Sequence, residues 1–310
     1  MAKGCSISTK PPRERERSWY NSMSMLQGPV LILGGSGMLG RAWVELLARA
    51  GVPHDAPPRA LVDLSREESL RSVEQGAWRA VVNCAAFTDV DAAEREEARA
   101  MQVNAFGPAR LAEACGRAGV PLLHYSSDFV FDGSAKHMGV GHIRRPVNAY
   151  GRSKARAEEL IETSGCRWLI VRTSWIYAPW GDNFVRTLAR RLVERPLVPV
   201  VNDLRSRPAS AELLARHSMR LLEAGTEGIW HLTDAGDPCT PYDIACEIAS
   251  SIAGAAGVQP DTWASFAARG PVPRAARPRT SVLDLSRAEA RLGPLPDWRT
   301  ALADVLRRLE

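Results

Sequence analysis

The sequence contains no C-x-x-C pair, and none of its six cysteines (Cys5, Cys84, Cys115, Cys166, Cys239 and Cys246) stands in a His/Cys pattern with zinc spacing. A zinc ribbon and a thioredoxin-like redox pair are thereby excluded, and no cluster of His, Cys, Asp and Glu compels a metal. Most of the cysteines sit in apolar surroundings, where a free thiol behaves as a small hydrophobe, so a reducing, cytoplasmic setting is expected. No apolar run approaches the ~18 residues of a membrane span, and the N-terminus lacks the apolar core of a signal peptide. A clustered basic face is missing too. The net charge is +5, but residues 1–27 hold five basic side chains against two acidic ones, leaving little excess elsewhere, so no nucleic-acid footprint is expected. That polar segment reads as a disordered extension.

The remainder is rich in short apolar runs alternating with helical patterns. Residues 29–33, 80–86, 120–127 and 167–175 read as buried strands. Residues 39–47, 92–118 and 150–163 read as helices. This alternation predicts an α/β fold: a Rossmann-type doubly wound parallel sheet. The second half is less regular, with short strands expected at 196–203 and 228–234, helices at 209–223, 241–254 and 297–310, and a Pro/Arg-rich loop at 268–280. The expected organisation is a dinucleotide domain over 28–175 and a smaller C-terminal α/β substrate lobe over 176–310, interleaved with the sheet through about 196–215 and 228–234.

Gly34, Gly35, Ser36, Gly37, Met38, Leu39 and Gly40 spell G-x-x-G-x-x-G between the first strand and the first helix. Glycines allow a tight turn and close approach of a pyrophosphate, and the helix N-terminus offers free N–H groups. Without a G-K-[ST] ending, the turn is not an ATPase P-loop. In the next, Pro-rich stretch Arg59 lies about 20 residues past the glycines. It is either the partner of a cofactor 2′-phosphate, favouring NADP(H) while leaving NAD(H) possible, or a solvated loop residue. Asp63 and Leu64 either line the adenine pocket, or Asp63 caps a helix beginning at Ser65.

Tyr150 and Lys154 have the spacing Y-x-x-x-K, which puts both on one face of a helix. A lysine ammonium one turn away is expected to lower the tyrosine pKa and ready the phenol for proton exchange with a carbonyl or alcohol. Ser127 and Asp128 end the third strand, on the edge of the sheet where ligands bind; Ser127 either hydrogen-bonds the reacting oxygen and orients the tyrosine, or simply ends the strand. His124, His137 and His142 read as loop or packing residues.

The order of glycine turn, "NCAA", "SSD" and Y-x-x-x-K resembles the extended short-chain dehydrogenase/reductases. Longer stretches narrow the match: "VVNCAAFTDVDAAE" (81–94), "HYSSDFVFDG" (124–133), "NAYGRSKARAE" (148–158), "VRTSWIYAPWGDNFVRTL" (171–188) and "SVLDLSRAEARLGPLPDWRTAL" (281–302) look like the dTDP-4-dehydrorhamnose reductase family. The resemblance covers about residues 28–308. It implies an NAD(P)H-dependent oxidoreductase that delivers hydride to the C4 keto group of a nucleotide-linked 4-keto-6-deoxysugar, acting as a monomer or homodimer. By the same resemblance Tyr150 protonates the C4 oxygen, and Lys154 holds the nicotinamide ribose. Ala85, Ala86 and Thr88 lie along the cofactor. Asp128, Phe129, Val130 and Trp175 lie by the sugar, with Asn183 toward the nucleotide and Asn104 positioning the site or packing its helix. The chain departs from the family with Ser at 127 for the usual Thr, Phe at 129 for Tyr, and Ser206-Arg207-Pro208-Ala209 for G-x-P-T. The reaction implied is dTDP-4-dehydrorhamnose to dTDP-L-rhamnose; the alternatives are reduction of another nucleotide 4-ketosugar in natural-product deoxysugar biosynthesis and, since the family also contains a regulatory subunit of methionine adenosyltransferase, a non-catalytic NADP-binding role.

Overall fold

A computed structural model describes residues 28–252, 254, 257–270 and 274–309; the segment 1–27 lies outside them. The first half runs β1 (Val30–Leu33), α1 (Met38–Arg49), β2 (His54–Asp55), α2 (Arg71–Gln75), β3 (Ala80–Asn83), α3 (Val90–Arg95), α4 (Glu97–Met101), α5 (Gly107–Ala118), β4 (Leu122–Ser127), α6 (Ala149–Glu162) and β5 (Trp168–Thr173). The second half runs β6 (Ile176–Tyr177), α7 (Phe184–Glu194), β7 (Leu197–Val201), β8 (Ala209–Ser210), α8 (Ala211–Glu223), β9 (Gly228–His231), α9 (Pro241–Ser251), β10 (Gly257–Asp261), α10 (Trp263–Ala268), α11 (Ser286–Leu292) and α12 (Trp298–Leu306).

Six strands form one parallel sheet in the order β2-β1-β3-β4-β5-β9. β1, β3 and β4 are buried at every position, as expected of strands covered on both faces, and this is why their sequences read as near-continuous apolar runs. On one face Trp43 and Leu47 of α1 pack with Leu214 and Met219 of α8. On the other, Val73, Leu111, Cys115 and Ile161 come from α2, α5 and α6. Each such large side chain stabilises the fold by roughly 1.5–3 kcal/mol on burial. Strand order reverses between β1 and β3, so the crevice at their carboxyl ends is the expected ligand site of an open α/β sheet.

The C-terminal segment is woven into this sheet. β9 adds its sixth strand, and α8 packs on α1. The stretch beginning at 196 instead forms β7, which pairs with β10 in a separate two-stranded sheet, while β8 pairs with β6. A third core, including Tyr177, Val185, Leu188, Ile244, Trp298 and Leu302, holds this lobe together. Within it, Asp234 accepts from the Tyr177 hydroxyl (2.8 Å) and from the backbone N–H of Ser210 (3.0 Å). Burial pushes its pKa up to about 7, above the ~4 of an unfolded aspartate. The ionised form is therefore the costly one in the fold, and this residue's contribution to stability declines as pH rises from about 4 to about 7. Asparagine keeps the acceptor oxygen without the charge. Asp234→Asn is expected to gain thermal stability relative to wild type as pH rises from about 4 to about 7; melts whose separation is independent of pH over that window would refute the assignment.

Three sequence expectations change here. The helical stretch 92–118 is broken into α3, α4 and α5, with a π-helical turn over Gln102–Phe106. The second strand shrinks to two residues, because the prolines that follow it supply no ladder N–H. The helix expected at Ser65 does not start there: a 3₁₀ turn begins at Glu67. No helix among the described residues is long and apolar enough to cross a membrane.

Candidate active site

The glycine turn joins β1 to α1. Gly34 has φ +79°, and a Cβ there would fall 2.7 Å from the Ala85 nitrogen. A Cβ on Gly40 would fall 2.1 Å from the Gly34 carbonyl oxygen. The turn is thus pressed against both the loop after β3 and its own helix, and no side chain can intervene. Gly37 caps α1 without any side-chain hydrogen bond, so the first-turn N–H groups face outward unsatisfied beside the exposed Ser36 and Gly37. This cradle fits a pyrophosphate. Met38 is half-buried and its carbonyl accepts from the Trp180 indole (3.1 Å), whereas Leu39 points into the core at 6% exposure, which leaves only its backbone for a ligand.

The loop after β3 presses Ala85 against Gly34, with half-buried Ala86 and exposed Thr88 following in the same loop. Asn104 braces it from the π-helical turn, accepting from the Phe87 N–H (2.7 Å), donating to the Phe87 carbonyl (3.0 Å) and donating to Ser153 on α6 (3.0 Å). Both halves of the amide and the helix carrying the Y-x-x-x-K pair are engaged, so Asn104 positions the loop rather than merely packing a helix.

Beyond β2, Arg59 is mostly solvent-exposed and pairs with Asp63 at 3.0 Å. Asp63 also accepts from the Ser65 N–H and hydroxyl, so it caps a turn, and Leu64 is buried in the core beneath α5. These bonds leave the side chains of Asp63 and Leu64 engaged within the protein.

On β4 and α6, Tyr150 lies beside Ser127, whose hydroxyl favours the phenolate, and Ser127 donates to Asp128 at 2.9 Å. Burial, then the Asp128 charge, pushes the Tyr150 pKa up to about 12. This differs from the sequence expectation that Lys154 lowers it: the Lys154 amine, fully buried, lies instead 3.2 Å from His124 Nε2. Burial lowers the Lys154 pKa to about 8, with the Glu158 charge opposing the fall. Glu158 in turn is locked bidentately by Arg172 (2.9 and 2.6 Å) and touched by Arg144 (3.1 Å). Asp128 is buried among hydroxyls: Ser206 approaches its second oxygen at 3.4 Å and is itself 2.7 Å from Ser174. Burial raises the Asp128 pKa while these hydroxyls, Ser281 foremost, oppose the rise. The departure at 206–209 thus acquires a role: Ser206 contacts Asp128, and Arg207 ties the Gly236 and Leu283 carbonyls.

Next to Tyr150 lies a largely apolar cavity of about 210 Å³, whose lining includes Phe129, Trp175, Phe184, Pro208, Ile244 and Arg277. Phe129 meets Tyr150 edge to face, with ring centroids 6.2 Å apart. Arg277 stacks over Phe129 and Trp263 and is anchored by Asp91 at 2.9 Å. Trp175 holds φ +36°, the one non-glycine residue in the left-handed region among those described; strained backbone of this kind concentrates at ligand sites. Two expected pocket residues are placed elsewhere. Val130 is fully buried with Phe131, Met138 and Leu283. Asn183 caps α7, accepting from the Arg186 N–H (3.2 Å) and donating to the Ala178 carbonyl (2.9 Å). A larger cavity, about 730 Å³, lies between α7 and α12 and includes Arg186, Arg190 and Arg307, but none of the glycine-turn or Tyr–Lys residues, so the chemistry is not there. No group of three or more His, Cys, Asp and Glu suited to a metal occurs among the described residues.

A glycine cradle at the strand-order reversal, with buried Ser127 and Lys154 and half-buried Tyr150 across the crevice, defines a nicotinamide-dependent oxidoreductase of the extended short-chain class. The family model described as RmlD substrate binding domain matches residues 28–310. A dTDP-4-dehydrorhamnose reductase of Streptomyces griseus is 38% identical over 285 residues, covering 88% of this chain and 91% of the relative. A probable dTDP-4,6-dihydroxy-2-methyloxan-3-one 4-ketoreductase of Streptomyces antibioticus is 38% identical over 287 residues, covering 88% and 93%. The crystal structure of a dTDP-4-dehydrorhamnose reductase from Bacillus anthracis in complex with NADP superimposes with a TM-score of 0.86 at 28% identity, covering 91% of this chain and 99% of that one. The chain belongs to the dTDP-4-dehydrorhamnose reductase family.

Proposed function

We propose that this protein reduces the C4 keto group of a dTDP-linked 4-keto-6-deoxysugar with NADPH, dTDP-4-dehydrorhamnose being the substrate and dTDP-L-rhamnose the product. The observation that carries this reading is the grouping of Tyr150, Ser127 and Asp128 beside an apolar, arginine-edged cavity. Gly34, Gly37 and Gly40 would hold the cofactor's pyrophosphate, and Lys154 its nicotinamide ribose. When bound, the reduced nicotinamide supplies the hydride. With a pKa near 12, Tyr150 stays a phenol at neutral pH and so carries the proton that the developing C4 alkoxide needs. Ser127, beside Tyr150 and hydrogen-bonded to Asp128, links the phenol to the buried carboxylate. Phe129, Trp175 and Arg277 offer stacking surfaces and a cation at the nucleotide-sugar end. We place the enzyme in the cytoplasm, where its free thiols stay reduced.

The test is NADPH oxidation with enzymatically generated dTDP-4-keto-6-deoxy-L-mannose. Turnover supports the reading. NADPH binding without turnover on this or related ketosugars would refute it in favour of a binding role. Arg59 provides the coenzyme test. If it leaves Asp63 for a 2′-phosphate, Arg59→Ala raises the KM for NADPH about tenfold, the scale of one charge-assisted hydrogen bond, and leaves the KM for NADH unchanged. An unaltered NADPH KM assigns Arg59 to the solvent.

A further inference from the structure

His124 stands in the middle of β4, on a strand buried from end to end. A polar ring in such a place is costly unless its nitrogens are bonded, and both have partners: Asn83 Nδ2 lies 3.0 Å from Nδ1, and Lys154 Nζ lies 3.2 Å from Nε2. The polarity of this chain is fixed at its far end. The backbone N–H of Ala85 donates to Asn83 Oδ1 at 3.0 Å, and a backbone N–H is only ever a donor. Asn83 therefore turns its NH₂ toward His124, and Nδ1 must accept. The imidazole is neutral, because burial above all pushes its pKa well below the ordinary value. A neutral ring that accepts at Nδ1 carries its proton on Nε2, and that N–H is aimed at Lys154. An ammonium has three donors and no acceptor. Only the free amine, with its lone pair, completes the chain.

We infer that His124 is a positioning residue that, in the cofactor-free protein at mildly alkaline pH, parks Lys154 as an uncharged amine through a directed chain of hydrogen bonds beginning at Ala85. When Nζ takes a proton from bulk water, its lone pair becomes an N–H bond, the Nε2–H···Nζ contact turns into donor against donor, and the ammonium is expelled from His124. It then swings along its own helix face toward Tyr150 and the crevice. Engagement of the cofactor ribose by Lys154, which rests on the function proposed above, is thereby coupled to uptake of one proton. The other groups around Lys154 are consistent with this. Glu158, one turn along α6, favours the ammonium, but its charge is held by Arg172 and Arg144. Tyr150, one turn away on α6, is a neutral phenol. The midpoint set by this balance is about 8, within reach of solution titration.

The first experiment uses the free protein labelled with 15N-histidine. His124 is expected as the neutral Nε2–H tautomer, with a Nε2 resonance that shifts through pH about 8 as Lys154 titrates, and with no such shift in Lys154→Met. An Nδ1–H tautomer, or an imidazolium at neutral pH, overturns the proposal. The second measures proton uptake on binding NADPH, by calorimetry in buffers of different ionisation enthalpy at a pH one unit above that midpoint. Wild type is expected to take up about one proton per site. His124→Gln, whose amide oxygen can accept from the ammonium, is expected to take up almost none. NADPH binding to wild type without proton uptake overturns the coupling. Failure of NADPH to bind at all overturns the cofactor reading instead, and the tautomer then decides the parking of Lys154 by itself.

Discussion

Replacing Tyr150 with phenylalanine is expected to lower kcat by about 10²–10⁴-fold, the range of a positioned general acid, while NADPH binding is unchanged. The separation of the two effects follows from the geometry. A phenylalanine ring keeps the edge contact with Phe129 and the packing among Ala93, Ala100 and Ala149, so the crevice keeps its shape. What is lost is the phenolic hydroxyl, the group proposed to give its proton to the reacting oxygen. The pH profile carries a second expectation. With the Tyr150 pKa near 12 and that of Lys154 near 8, the descending limb of kcat/KM in the mildly alkaline range belongs to Lys154. Activity falls as the ammonium loses its proton, not as the phenol does. Steady-state rates in Tyr150→Phe and fluorescence titration with NADPH check the first expectation. A loss of less than about tenfold would remove Tyr150 from the acid role.

The parts of this site that could be read in the sequence are those where a residue type has few other uses. A glycine triplet between a buried strand and an amphipathic helix, a Tyr–Lys pair one turn apart and a serine at a strand end each carry a physical reason for their spacing. Residues with two plausible occupations were harder to place. Asn183 is as apt for capping a helix as for binding a nucleotide, and the backbone of α7 claims it. Val130 follows Asp128 and Phe129, but the 3₁₀ turn over Asp128–Val130 rotates its side chain into the core. β10 escaped notice because an edge strand containing Pro260 and mostly exposed side chains lacks the apolar run that marks the central strands. His124 was read as packing, although the sequence did hold a clue: a strand buried on both faces should be almost purely apolar, and a histidine three residues before Ser127 needs partners there. Asn83 and Lys154, distant in sequence, are found only once β3, β4 and α6 are assembled. The Lys154 charge shows the same limit. Spacing placed it opposite Tyr150, but the depth of burial and the histidine behind it decide which state it adopts.

Removing the carboxylate of Glu158 is expected to have the largest effect on stability. Glu158 and Arg172 are 0% and 1% exposed, and their bidentate pair joins α6 to β5 directly behind Lys154. Arg172 also donates to the Val140 carbonyl (3.0 Å) and lies over the Phe131 ring, so it cannot follow its partner's loss by turning to water. Glu158→Leu leaves a buried guanidinium without a counter-charge, and such breakage costs about 3–5 kcal/mol. For a chain of this size that corresponds to a fall in Tm on the order of 10 °C. The double variant Glu158→Leu with Arg172→Met is expected to recover most of the loss, because a buried pair replaced by apolar groups is close to neutral. If the double variant is as unstable as the sum of the singles, the pair is not the source. The pH dependence has a definite sign. Despite the opposing effect of burial, Arg172, then the other donors, hold the Glu158 pKa below its ordinary value. Its contribution is therefore complete above the unfolded pKa of about 4.3 and disappears as pH falls through the lower folded value. The same substitution reaches the chemistry. Glu158 is the charge that raises the Lys154 pKa, so in the double variant, folded but lacking that charge, the descending limb of the kcat/KM profile moves to lower pH. A repacked core would not by itself shift that limb, so the movement distinguishes an electrostatic role for Glu158 from a purely structural one.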